Sequence, residues 1–338
     1  KVSVHMVTGG APLAIASVVA VSPMQPLPMA GTGGNDVLTG DAGANTINGL
    51  AGADSMTGRT GDDDYIVDNA GDKVNELPGG GYDTVQSSVS YRLADDVEAL
   101  VLTGTANLDA TGNGQRNRLV GNAGDNRLDG GAEADDMMGG AGNDTYVVDN
   151  QLDTVSEDIN AGVDTVQSSV SWTLGKNLEN LDLTGAHDIN ATGNELANAL
   201  TGNAGDNILD GAQGGDSMAG GAGNDTYVMG RGYGVDRISE SDATVGNTDI
   251  AFFDASVGID QLWFRQTGND LEVSLIGTND KLVVNNWYLG SQYHVEKFKS
   301  GDGKTLLDSQ VQNLVQAMAS FAPPAAGQTT LPANYQGN

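Results

Sequence analysis

The sequence predicts an all-β solenoid that ends in a β-rich cap with one amphipathic helix. Three observations carry this. The nonapeptide Gly-Gly-Ala-Gly-Asn-Asp-Thr-Tyr-Val stands at 139–147 and again, identical, at 220–228, and a diverged copy stands at 58–66, at the same interval upstream. Nonapeptides tile in three groups of four, starting at Gly31, Gly40, Gly49 and Gly58, at Gly112, Gly121, Gly130 and Gly139, and at Gly193, Gly202, Gly211 and Gly220. The eighth residue is apolar or aromatic in all twelve: Leu38, Ile47, Met56, Tyr65, Leu119, Leu128, Met137, Tyr146, Leu200, Leu209, Met218 and Tyr227. One inward apolar residue per nonapeptide, kept in phase, is the pattern of short strands stacked coil on coil.

Each part of the nonapeptide has a physical reason. Glycine opens the turn because a tight corner needs backbone angles that a side chain resists. The residues flanking position 8 are mostly polar, the period-2 alternation of a half-buried strand. Position 6 carries an oxygen ligand: Asp36, Asn45, Asp54 and Asp63, then Asn117, Asn126, Asp135 and Asp144, then Asn198, Asn207, Asp216 and Asp225. A carboxylate held on a glycine turn, beside exposed backbone carbonyls, is hard-oxygen chemistry of the kind Ca²⁺ takes. The carbonyls of Gly31, Gly33, Gly49, Gly58, Gly139, Gly140, Gly142, Gly220, Gly221 and Gly223 are the candidate backbone ligands. The last two turns of each group always carry Asp. The first two often carry Asn, a neutral and weaker ligand, so binding strength is graded within each group.

The spacers between groups repeat as well. Asp-Thr-Val-Gln-Ser-Ser-Val-Ser recurs at 83–90 and 164–171, and Leu-Thr-Gly at 102–104 and 183–185. They read as further solenoid coils without the full glycine turn. A thirteenth near-match at 231–239 contributes Asp236.

Composition bounds the partners. Acidic residues outnumber basic ones 45 to 15, for a net charge of −30. Nucleic acid and anionic membranes are repelled, and cations are attracted. The absence of cysteine removes disulfides, thiolate zinc sites and cysteine nucleophiles. No apolar run is long enough to span a membrane. The sequence has no Gly-x-Ser-x-Gly, no His-Glu-x-x-His and no phosphate loop, and His5, His187 and His294 lack metal spacing. Trp172, Trp263 and Trp287 read as core rather than as a sugar platform. No chemistry here requires an enzyme.

These residues resemble the RTX family of haemolysin-type calcium-binding repeats, with the consensus Gly-Gly-x-Gly-x-Asp-x-apolar-x, over 31–239. The resemblance implies a right-handed parallel β-roll in which two nonapeptides make one coil, with Ca²⁺ between turns of successive coils. Carried onto this chain, it pairs Asp36 with Asp54, Asn45 with Asp63, Asn126 with Asp144 and Asn207 with Asp225. Asn117 with Asp135 and Asn198 with Asp216 are the weaker pairs. Gln115, Leu196 and Glu133 replace the second turn glycine, which makes their turns candidates for metal-free corners.

Downstream of 240, the segments 250–253, 262–265, 271–276 and 281–288 read as strands. The segment 308–321 places Val311, Leu314, Val315 and Met318 on one helical face. This region resembles the domain that follows RTX repeats in haemolysin-type proteins, and it would cap the open end of the roll. The domain reading is a linker or upstream tail over 1–30, a β-roll over 31–240, a capping and secretion-related domain over 241–322, and a flexible tail over 323–338. Lys1 at the start suggests a fragment or processed product, and 11–21 resembles the apolar core of a secretory signal with poor flanks.

The resemblance further implies a secreted or cell-surface protein exported by a type I secretion apparatus. Without Ca²⁺, clustered carboxylates repel and the glycine turns are costly to order, so the chain should fold only on binding metal. The preferred reading is a calcium-folded module that supports secretion and stability of a larger protein. The alternatives are a structural or adhesive extracellular protein that forms a calcium-dependent surface layer, fibre or matrix, by self-association or on cell-surface glycans, and an enzyme acting on extracellular polysaccharide.

Overall fold

A short strand turns one side chain inward, so this chain can bury little apolar surface until coils stack. The computed structural model shows that stack. It describes residues 27–242, 244, 246–321, 324, 327–329 and 331. The segment 11–21, His5 and most of the 323–338 tail lie outside the described residues.

Strands alternate between two faces of a parallel solenoid. In the nonapeptide groups each residue pairs with the one two nonapeptides further on, as in Thr46↔Asp64, Leu119↔Met137 and Leu200↔Met218. The spacers continue the same faces with coils of uneven length. Asp64 pairs with Thr84, Thr84 with Ala99 and Ala99 with Arg118. The next spacer repeats the series: Thr145 pairs with Thr165, Thr165 with Asn180 and Asn180 with Ala199. Each spacer also breaks one face, between Lys73–Asn75 and Tyr91–Arg92 and again between Thr154–Ser156 and Trp172–Thr173.

One repeat unit, a nonapeptide group with its spacer, holds nine strands, an odd number of half-coils. Equivalent residues in consecutive units therefore fall on opposite faces. Tyr65 and Tyr227 lie on one face, and Tyr146 on the other.

The predicted ladder is the core. Eleven of its twelve residues are at most 1% exposed, and Leu38 in the first coil is half-buried. Val85, Leu100 and Ala110, with their counterparts Val166, Leu181 and Ala191, carry the ladder through the spacers. Each fully buried aliphatic side chain contributes about 1.5–3 kcal/mol.

The cap grows out of the roll. Val235–Ile238 pairs in parallel with Lys281–Val284, and Ile250–Phe253 with Lys297–Lys299, so both faces continue past 240. Antiparallel pairing then ends the spiral: Leu262–Thr267 with Asp270–Leu275, and Lys297–Lys299 with Thr305–Leu307. The helix Asp308–Ala319 buries Val311 and Val315. The strand expected over 281–288 stops at Val284, because Asn286 turns left-handed (φ 59°) into the short 3-10 turn Trp287–Leu289. Trp263 and Trp287 are 5% and 4% exposed, as core residues are, and His294 stacks on Trp287 with ring centroids 3.9 Å apart.

Candidate metal centres

The twelve turns fall into two geometries. In the third and fourth turns of each group, positions 2 and 4 are left-handed. Gly140 and Gly142 have φ of 98° and 122°, and Gly221 and Gly223 have 100° and 117°. Leu50, Arg59, Glu133 and Ala212 adopt similar angles (61°, 85°, 76° and 64°) without being glycine. A left-handed residue with a side chain carries a conformational cost, so the turn geometry overrides local preference there. Glu133 thus leaves its turn in the same form as its neighbours. Position 1 must be glycine: a Cβ on Gly139 would collide with Asp144 Oδ2, and one on Gly49 or Gly220 with Asp54 or Asp225. Gly31 and Gly58 are confined in the same way, whereas Gly33, in the first coil, has open space around it.

In these turns the position-6 aspartates are at most 1% exposed. Each accepts through Oδ1 a backbone N–H from position 6 of the preceding coil. Asp36 donates to Asp54 (2.7 Å), Asn45 to Asp63 (2.6 Å), Asn117 to Asp135 (2.7 Å), Asn126 to Asp144 (2.7 Å), Asn198 to Asp216 (2.7 Å) and Asn207 to Asp225 (2.8 Å). Every pairing expected from the resemblance is therefore in hydrogen-bonded contact. The second oxygen, Oδ2 of Asp54, Asp63, Asp135, Asp144, Asp216 and Asp225, is buried without a donor. Asp236 repeats the arrangement against Asp216 (3.0 Å), also with Oδ2 unpartnered. Asp36 differs: it is half-buried, and its Oδ2 accepts the Thr32 N–H and hydroxyl at 2.6 and 2.8 Å.

The first and second turns of each group lack left-handed residues. Here position 2 caps the turn instead: the Gly43, Gln115, Gly124, Leu196 and Gly205 N–H groups donate to the side chains of Asp41, Asn113, Asn122, Asn194 and Asn203. Asn45, Asn117, Asn126, Asn198 and Asn207 accept the position-2 N–H through Oδ1, at 2.7–2.9 Å.

The densest acidic clusters join the fourth turn of each group to the segment that follows it. Asp63, Glu76 and Asp83 bring carboxylate oxygens within 4.8 Å of one another, as do Asp144, Glu157 and Asp164, and Asp225, Glu240 and Asp249. Glu76 stands one coil after Gly58, in the position-1 slot, so it puts a carboxylate where other coils have a glycine, and its Oε1 accepts the Gly58 N–H at 3.2 Å. The hydroxyls of Tyr65, Tyr146 and Tyr227 donate to Glu76, Glu157 and Glu240. Burial pushes Asp63, Asp144 and Asp225 up to about 6, Asp83, Glu157 and Asp249 up to about 7, and Glu240 up to about 8. Neighbouring carboxylates add to these shifts. The sequence reading did not single out Glu76, Asp83, Glu157, Asp164, Glu240 or Asp249. The available signal was that Glu76 and Glu157 recur at the repeat interval, each shortly ahead of the repeated Asp-Thr-Val-Gln.

A buried carboxylate oxygen with no donor is costly, and three carboxylates converging at one point are costlier still. A hard cation answers both, and Ca²⁺ takes about 6–8 oxygens at flexible angles, which suits mixed carboxylate and carbonyl donors. The donor set thus fits calcium.

Comparison with known families agrees. The RTX calcium-binding nonapeptide repeat matches residues 30–72, 111–146 and 192–227. The haemolysin-type calcium binding protein related domain matches residues 270–310. Among the described residues no helix is long and apolar enough to cross a membrane. The chain thus carries RTX haemolysin-type calcium-binding repeats wound into a β-solenoid, followed by a haemolysin-type calcium binding protein related domain.

Proposed function

We propose that this chain is a calcium-folded module of a secreted protein, in which bound ions supply the free energy that closes the roll. The observation behind this reading is the row of buried Oδ2 atoms without donors, from Asp54 to Asp236. Asp54, Asp135 and Asp216 would hold ions with turn carbonyls. The three clusters around Asp63, Asp144 and Asp225 would hold ions through three carboxylates each. Binding then becomes folding free energy, because the unfolded chain does not assemble these oxygens. A chain that stays loose where calcium is scarce and closes where it is abundant suits passage through a type I secretion channel, and the folded module would stabilise whatever larger protein carries it. Its role is structural rather than catalytic.

Circular dichroism of the full chain tests this. In chelator the spectrum should be mainly coil, and millimolar Ca²⁺ should convert it to β-structure. An unchanged β spectrum after exhaustive chelation refutes it.

A further inference from the structure

We infer that the asparagine turns of the second and third groups take no calcium, so that there ions are confined to half of the nonapeptide turns. The inference rests on the calcium reading above. In these turns side-chain amides stand where a cation would act. Asn117 Nδ2 donates to the Val97 carbonyl (3.0 Å), Asn126 to Leu108 (3.0 Å), Asn198 to Leu178 (3.0 Å) and Asn207 to Ile189 (2.7 Å). The position-2 asparagines do the same. Asn113 reaches the Ala94 and Val97 carbonyls, Asn122 those of Thr103 and Ala106, Asn194 those of Gly175 and Leu178, and Asn203 those of Thr184 and His187, all at 2.7–3.1 Å.

Each turn thus ties the coil before it through amide donors on backbone carbonyls, the oxygens that a bound dication would need. The amide hydrogens are the positive ends of dipoles and would face any ion placed there. The asparagine oxygens are already used inside the turn, and no side-chain atom of Asn117, Asn126, Asn198 or Asn207 is buried without a partner, whereas all six aspartates of the other turns have one. The family match over 111–146 and 192–227 covers both kinds of turn. It therefore spans more turns than bear ions.

Counting ions bound per chain, by equilibrium dialysis with elemental analysis, tests this. Asn126→Ala and Asn207→Ala should leave the count unchanged, and Asp144→Asn or Asp225→Asn should lower it. The double variant Asn122→Gly/Asn126→Asp restores the Gly-Gly-x-Gly-x-Asp pattern and should raise it by one ion. The assignment is overturned if either alanine variant loses an ion, or if the double variant, folded by circular dichroism in saturating Ca²⁺, gains none. Should an alanine variant not fold, the double variant decides. A parent chain that binds no calcium at all defeats the calcium reading itself, a different result from calcium bound at asparagine.

Discussion

The turn at 121–129 and the turn at 139–147 are one coil apart and joined by the Asn126 N–H to Asp144 hydrogen bond, yet they solve the same corner in opposite ways. In the first, Asn122 and Asn126 satisfy every side-chain polar atom they bury. In the second, Gly140 and Gly142 bend left-handed and leave Asp144 Oδ2 without a donor. Replacing an amide nitrogen by a carboxylate oxygen turns a closed corner into one that needs a cation. A net hydrogen bond contributes about 1 kcal/mol, whereas a buried unsatisfied group costs about 1–3 kcal/mol. Asparagine coils are therefore self-sufficient and aspartate coils conditional.

The comparison is sharpest in mutants. Asp144→Ala or Asp225→Ala removes both the tie to the preceding coil and the unpartnered oxygen. Calcium affinity at that turn should fall about a hundredfold or more, beyond the roughly 10–100-fold loss typical when only a supporting partner is removed. Asn117→Ala or Asn198→Ala should cost about 1–2 kcal/mol in calcium-saturated stability and leave affinity nearly intact. Isothermal titration calorimetry separates the two, and equal losses of affinity would erase the distinction between the turns.

Acid should act as a partial substitute for calcium, and only at the aspartate coils. The carboxyls of Asp144 and Asp225, with Glu157 and Glu240, sit above the usual carboxylate range in the metal-free fold because burial penalises the charged form. A raised folded-state pKa means that the folded state binds more protons than the unfolded one. The associated stability is full below the ordinary carboxylate range and is lost as pH rises through about 6 to 8. In chelator, ordered β-structure should therefore increase from pH 8 to pH 5. Calcium affinity should decrease over the same interval, as protons compete for the oxygens. A chelated spectrum independent of pH would show that these carboxylates do not limit folding.

Much of this is legible in the sequence, for a physical reason. A ladder residue such as Met137 must be apolar and in phase whatever its neighbours do, so periodicity alone locates the core, while the coil of two nonapeptides is what the family resemblance implies. The spacers are readable as coils because Val85 and Leu100 keep the inward pattern. Glu76 escapes such a reading because it lies outside the nonapeptides and becomes a candidate ligand only when its coil stacks on Gly58. Asn126 reads as a weak ligand because sequence shows an amide but not which end faces the carbonyls. The early end of the strand at Val284 depends on one left-handed asparagine, which local pattern does not expose.

The smallest effect reaches the ion through the core. The Tyr146 ring is fully buried in the ladder, while its hydroxyl accepts the Gly139 N–H (2.7 Å) and donates to Glu157. The same side chain thus packs the coil and orients a candidate ligand. Tyr146→Phe keeps the ring and deletes only the hydroxyl. The ladder should stay intact, and the calcium-saturated spectrum should match the parent's. Glu157 loses the donor that favours its charged form, so its carboxyl should rise further and bind an ion less readily at neutral pH. Affinity at that cluster should fall roughly tenfold, as it does when a partner behind a ligand is lost. The loss should shrink above pH 8, where Glu157 is ionised in either protein. Unchanged affinity would remove Glu157 from the site and leave Asp144 and Asp164 to hold the ion with backbone oxygens. A loss that persisted unchanged at high pH would place the tyrosine's role in packing rather than in setting the charge of the ligand.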